Sequence, residues 1–222
     1  MQVFNATLRR MDYEFIKTAF LTLFVAIDPP GLAAIFVALT AHMNRSERKA
    51  TAFRSVTIAF CILLAAALGG QPLLNLLGIG IPAFRIAGGL LLFWIAAEMI
   101  FERRQERKSH AAEEAISHDH FTTIAAFPLA IPLMAGPGAI TATILQASLA
   151  GASWLNLAII IAILAVVLMS CLAVFLMANP IDRLMGTTGR VVLTRLLGVL
   201  LASMAIQTIG DGIVGFIRNA QL

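Results

Sequence analysis

Charge is scarce in this chain of 222 residues: Asp, Glu, Lys and Arg make up 13% of it, about half the ~25% of a typical soluble domain. Sixteen basic and twelve acidic residues are too few to cover the outside of a domain this size, and they are bunched rather than spread. Hydrophobic residues reach 59%, and mean hydropathy is +0.89. These values exclude a disordered chain and argue against a water-soluble globule. Cysteine is nearly absent. Cys61 and Cys171 lie in apolar runs 110 residues apart, which gives neither a disulfide framework nor a metal-ligand spacing. Histidine is missing from every apolar run, since His42, His110, His118 and His120 all fall in connections. There is no Gly-x-Ser-x-Gly, no His-Glu-x-x-His and no phosphate-binding loop. An intramembrane hydrolase or an ATP-driven pump would need such groups, so the chain is expected not to be an enzyme, with no catalytic or metal-ligating residue. The net charge of +4 comes without a basic stripe interleaved with aromatics, which excludes nucleic acid as a partner.

What is abundant is apolar sequence long enough to cross a bilayer, which takes about 20 residues. Six runs qualify: residues 18–41, 53–68, 83–101, 121–150, 154–177 and 191–217. The expected fold is an all-α membrane protein. The first run is broken by Asp28-Pro29-Pro30-Gly31 and ends in no small-residue cleavage site, so it is expected to stay in the mature chain. The odd-numbered connections carry Arg45, Arg48, Lys49, Arg103, Arg104, Arg107, Lys108, Arg183 and Arg190; the other side has Arg9, Arg10, Lys17 and Arg218. The richer side is expected to face the cytoplasm, which leaves both termini periplasmic.

The two halves resemble each other. Pro29 matches Pro137, and the segment Pro72–Gly78 matches Pro180–Gly186, both at an offset of 108 residues. Phe84-Arg85-Ile86-Ala87-Gly88 matches Thr194-Arg195-Leu196-Leu197-Gly198 at an offset of 110. Each half holds three runs, and an odd number reverses the second half in the membrane. The expected plan is therefore two inverted three-helix repeats with helices one and four broken, the usual plan of secondary transporters. Residues 1–101 form the first repeat, 102–120 a charged cytoplasmic linker and 121–222 the second repeat. Within the linker, His118-Asp119-His120 has the composition of a metal site. Without a rigid second shell the stretch reads as a solvated connection.

Two prolines at Pro29 and Pro30 make a continuous helix costly. Asp28 is a good N-cap and Pro29 suits a first helical position, so a half-helix should start there, at mid-membrane. Gly136-Pro137-Gly138 should do the same in the fourth run. Exposed backbone groups in lipid cost several kcal/mol each, so both breaks should face a protein-lined cavity, where their N-termini attract carboxylates. Asp28 is the only acid at mid-span; it can cap its helix, receive a substrate ammonium or take up a coupling proton. Thr141 and Gln207 are polar and inward-capable. Arg85 and Arg195 occupy equivalent positions near the starts of runs three and six, suited to snorkelling or to gating. Glu98 and Asp211 lie near run ends and read as interfacial. The small residues around Gly210-Asp211-Gly212 permit close helix contacts, within or between protomers, and leave the oligomeric state open.

At these residues the chain resembles the MarC family of bacterial six-helix inner-membrane proteins, which includes small neutral amino-acid transporters. The resemblance covers nearly the whole chain. It rests on Asp28-Pro29-Pro30-Gly31, on Ile81-Pro82-Ala83-Phe84-Arg85-Ile86-Ala87-Gly88-Gly89, on Phe127-Pro128-Leu129-Ala130-Ile131-Pro132, on Ala135-Gly136-Pro137-Gly138, and on Arg195-Leu196-Leu197-Gly198 with Gln207. Many members carry Asn where Asp28 stands here. The resemblance implies a carrier of glycine-like or alanine-like solutes coupled to a proton or sodium gradient, with no other cofactor. Its expected partners are the lipid bilayer and a small zwitterionic solute. That solute is expected at Asp28, Pro29, Gly31, Gly136, Pro137, Gly138, Thr141 and Gln207, with Asp28, Arg85 and Arg195 in coupling or gating. A non-transporting membrane scaffold and a passive small-solute channel are the alternatives.

Overall fold

A computed structural model describes residues 2–104, 106–108, 110, 124–151 and 153–220. Their regular structure is helical throughout. Helix α1 (Gln2–Ile27) ends at Asp28, and α2 (Pro29–Leu39) starts directly after it. Together, Tyr13–Leu39 form one membrane-crossing length interrupted at Asp28. Helix α3 (Arg45–Leu76) follows a short turn. Its start is fixed by reciprocal capping: the Asn44 side chain accepts from the Ser46 and Glu47 amides, and Glu47 accepts from the Asn44 amide at 2.8 Å. The apolar core of α3 matches the expected 53–68, but the helix extends well beyond it at both ends. Helix α4 (Ile81–Ile100) has Pro82 in its first turn, where a missing N–H costs nothing.

Helices α5 (Ala125–Met134) and α6 (Pro137–Leu149) form the fourth apolar run. They meet at an angle of 58°. Helix α5 is wound in wide, π-type turns, with extended backbone at Phe127 and Ile131. Each of these residues precedes a proline, whose ring disfavours helical backbone in its neighbour. Helix α7 (Trp154–Leu176) is capped by Ser153, which accepts from the Asn156 amide. Helix α8 (Ala178–Ala220) is interrupted at Gly186, whose φ is +58°, so its membrane-crossing length is Thr188–Ala220. Among the described residues, five helical lengths are long and apolar enough to cross a bilayer, and the bent α5–α6 pair, taken as one span, makes a sixth.

Large apolar side chains face both inward and outward, as lipid permits. Leu23, Leu32, Leu63, Leu92 and Leu164 are fully buried, and Phe36 stacks on Phe175 with ring centroids 4.4 Å apart. Phe93, Val166, Leu200 and Phe216 are exposed on the surface that hydrocarbon would cover. The hydroxyls of Thr22, Thr40, Ser55, Thr57 and Thr143 bond to carbonyls four residues back, so each is satisfied without water.

The most extensive packing joins α4 to α8. The two run antiparallel: Gly212 lies against Pro82 and Arg85, Gly89 against Ala205 and Ile209, and Gly198 against Ala96 and Met99. A Cβ on Gly89 would come within 3.0 Å of the Ala205 carbonyl oxygen. These glycines therefore let the backbones approach closely, as small residues do between membrane helices.

Candidate functional site

The break between α1 and α2 leaves backbone carbonyls at the C-terminal end of α1 without helical partners, and places Asp28 beside them. Both are negative: the carbonyls through the helix dipole, and Asp28 through its carboxylate. Asp28 is 1% exposed. Its backbone is left-handed, with φ +63°, and Oδ1 accepts from the Gly31 amide at 3.1 Å. That is the expected N-cap. A Cβ on Gly31 would overlap the carboxylate, so this cap requires glycine three residues on.

Two cations from the segment after α4 neutralise this negative spot. Lys108 Nζ sits 3.0 Å from Asp28 Oδ2. Arg104 donates to the Ala26 carbonyl near the end of α1, and to Met99 Sδ at 2.9 Å. Each of the two is only 6% exposed. The expectation of a solvated connection over residues 102–120 does not hold for them. Their partners there, the Asp28 carboxylate and the Ala26 carbonyl, offset part of the cost of taking both cations out of water. Lys108 lies between the membrane-crossing helices in sequence. Burial lowers its ammonium to about 8, with Asp28 opposing that fall and Arg104 adding to it. Arg104 is lowered by burial in the same way, again against the pull of Asp28.

A third cation, Arg107, pairs with Glu98 at 2.8 Å, and the Trp94 indole donates to the same carboxylate at 3.1 Å. Glu98 was expected at the interface. Its side chain is instead largely covered, because Arg107 and Trp94 close over it.

These groups line a cavity of about 200 Å³. Its walls are Arg104, Arg107 and Lys108, the end of α1 at Ala26, Trp94 and Ile95 of α4, and the α5–α6 break from Pro132 to Ala139. Helix α6 begins at Pro137, so its N-terminal, positive end borders the same space. Gly136 is held against the Pro132 carbonyl, where a Cβ would overlap it, and a Cβ on Gly138 would overlap Ile95. Only glycine lets the break reach the wall in this shape. The lining carries three positive side chains and a helix N-terminus. Asp28 lies behind Lys108, outside the lining. Such a cavity can hold a carboxylate.

Of the residues expected at a site, Gly136, Pro137 and Gly138 border the cavity, and Asp28 joins it through Lys108. Pro29 and Gly31 are buried behind, in the first turn of α2. Thr141 packs on Gly88 of α4. Gln207 is not brought to the cavity; it is exposed and donates to Asp211 on its own helix at 2.9 Å. Arg195 pairs with Glu102 in exposed surroundings, and Arg85 lies along Gly212 of α8. Neither borders the cavity. Arg104, Arg107, Lys108 and Glu98 were not anticipated as a site. One signal was available: Arg104 and Lys108 are four residues apart, on one face of a helical turn. His118-Asp119-His120, read as part of a solvated connection, lie outside the described residues.

The profile described as "MarC family integral membrane protein" matches residues 13–217. The chain belongs to the MarC family. Among its relatives, a UPF0056 membrane protein of Archaeoglobus fulgidus is 38% identical over 201 residues, covering 90% of this chain and 92% of that protein. A UPF0056 membrane protein of Methanocaldococcus jannaschii is 37% identical over 205 residues, 92% of this chain and 98% of its own length. The UPF0056 inner membrane protein MarC of Salmonella arizonae is 32% identical over 218 residues, 93% and 97%. No solved structure matches. The MarC-family membership and the apolar helices together make this an integral, multi-pass membrane protein.

Proposed function

We propose that this MarC-family chain is a secondary transporter of a small neutral amino acid of the glycine or alanine kind, driven by a proton or sodium gradient. The observation that carries the reading is the cavity between the two interrupted runs. At about 200 Å³ it is smaller than the ~300–1,000 Å³ pockets of drug-sized ligands. Arg104, Arg107 and the start of α6 suit a carboxylate, and Asp28 suits an ammonium. The reading assigns no catalytic step.

Alternating access by two inverted repeats belongs to the same proposal. Gly78 and Gly186, 108 residues apart, both take positive φ, as matched turns would. The packing also exchanges: α1 and α2 lie on α7 and α8, while α5 and α6 lie on α3, and α6 on α4. That is the pattern expected if a two-fold axis relates the halves. The bacterial inner membrane is the proposed location, in line with the printed name of the Salmonella relative, with both termini periplasmic. A reporter fused after Leu222 and active only in the periplasm supports that orientation; one active only in the cytoplasm reverses it.

The deciding experiment is uptake of radiolabelled glycine and alanine into proteoliposomes, with proton and sodium gradients imposed separately. Accumulation above the outside concentration under one gradient supports a coupled carrier and identifies its ion. Equilibration without accumulation removes the coupling and is the behaviour of a passive pathway such as a channel. No uptake by folded protein removes these amino acids as substrates and favours a scaffold.

A further inference from the structure

We propose that the Lys108 side chain is an internal plug, which holds on Asp28 the place that the ammonium of a zwitterionic solute takes during transport. The inference rests on the carrier reading and names what occupies its amine subsite between cycles.

Three observations meet here. The Lys108 ammonium and the Asp28 carboxylate form a direct pair at 3.0 Å, the same chemistry that a substrate ammonium would offer. Lys108 borders the cavity and Asp28 does not, so the lysine stands between the open space and the acid. Arg104, on the same face of the segment after α4, ties it to the Ala26 carbonyl, at the seam where α1 gives way to α2. The cavity thus presents only a carboxylate subsite: Arg104, Arg107 and the first turn of α6. The amine subsite is filled by the protein itself.

A buried carboxylate left unpaired is costly. A tethered ammonium removes that cost when no solute is bound. It also sets a condition for loading, because Lys108 leaves Asp28 only when another cation replaces it. A monocarboxylate lacks that cation, so it can occupy the cavity without displacing the plug. An amino acid brings its own ammonium and exchanges with Lys108. Selection of zwitterions over simple anions follows from this competition. Apparent affinity for the zwitterion is the intrinsic affinity multiplied by the fraction of molecules whose plug is unseated.

The test is equilibrium binding of radiolabelled glycine to the purified full chain, with acetate as the competing carboxylate, for wild type and Lys108→Met. Removing the tethered ammonium should tighten glycine by about tenfold or more, while acetate changes by no more than about twofold. Lys108→Gln can still donate to Asp28 without a charge; it should shift glycine in the same direction by less, and it replaces Lys108→Met if that variant does not fold. Glycine affinity that is unchanged or weaker in the folded variants overturns the plug. So does equal tightening of acetate, which would mean that the segment merely obstructs the cavity. The two proposals fail separately. Gradient-driven uptake by wild type without tightening keeps the carrier and removes the plug. Tightening without accumulation by any variant keeps the plug and removes the carrier. If neither glycine nor acetate binds wild type or the variants, both are overturned.

Discussion

A Cβ on Gly31 would overlap the Asp28 carboxylate, and Asp28 is held from the other side by Lys108. Gly31→Ala therefore forces the acid out of its cap and strains the ion pair at once. A lost N-cap costs about 0.5–2 kcal/mol, and the displaced pair adds to it. Gly31→Ala should lower the melting temperature in detergent and cut the initial uptake rate by about tenfold or more, and an unchanged rate would remove Asp28 from the site. Asp28→Asn separates the two roles of the acid. Asparagine caps as well as aspartate, but it leaves the Lys108 ammonium buried without a counter-charge, at a cost of about 3–5 kcal/mol. Adding Lys108→Met should recover part of that loss, giving a coupling of about 1–3 kcal/mol in a double-mutant cycle. Additive effects in urea or thermal unfolding would show that the pair contributes nothing beyond its members.

At the scale of the helix, the α4–α8 contact depends on glycine facing backbone. Gly89→Leu places a side chain where the Ala205 carbonyl and the Ile209 side chain already lie, and it should separate the two helices. The outward neighbour Leu90 is more than half exposed, so Leu90→Ala should change stability by no more than about 0.5 kcal/mol. Thermal unfolding of the two variants checks the contrast, and equal effects would mean that the helices do not meet as described. The helices were legible in the sequence because lipid imposes a simple rule: about twenty apolar residues, satisfied internally. The break at Asp28 was legible from proline and capping chemistry, and the break at Gly136 likewise. The segment 103–108 was not. Its charge run has the composition of a solvated connection, and the burial of Lys108 within it depends on a carboxylate some 80 positions earlier in the chain. Periodicity carries no record of such a pairing. Gln207 failed in the opposite way: it sits within an apolar run, but its partner Asp211 lies one turn further along the same exposed face.

At the scale of the molecule, the packing crosses between the halves far more than it stays within them. Helices α1 and α2 lie on α7 and α8, α3 lies on α5, α6 and α7, and α4 lies on α6 and α8. Contacts inside the second half, α6 with α7 and α7 with α8, are minor by comparison. The sequence halves 1–101 and 121–222 are therefore not separate units of packing. Each, made alone, would expose to lipid the glycine faces and the small-residue surfaces that its counterpart covers. We expect residues 1–110, expressed alone, to be degraded or to aggregate, and residues 121–222 to do the same. Co-expression should restore a folded complex that co-purifies and melts as one unit, because the interface between the halves is most of the core. A half that accumulates alone in membranes, resists protease and melts cooperatively would show that the halves fold independently. The proposed alternating access would then have to be sought as movement between preformed blocks rather than within a shared core.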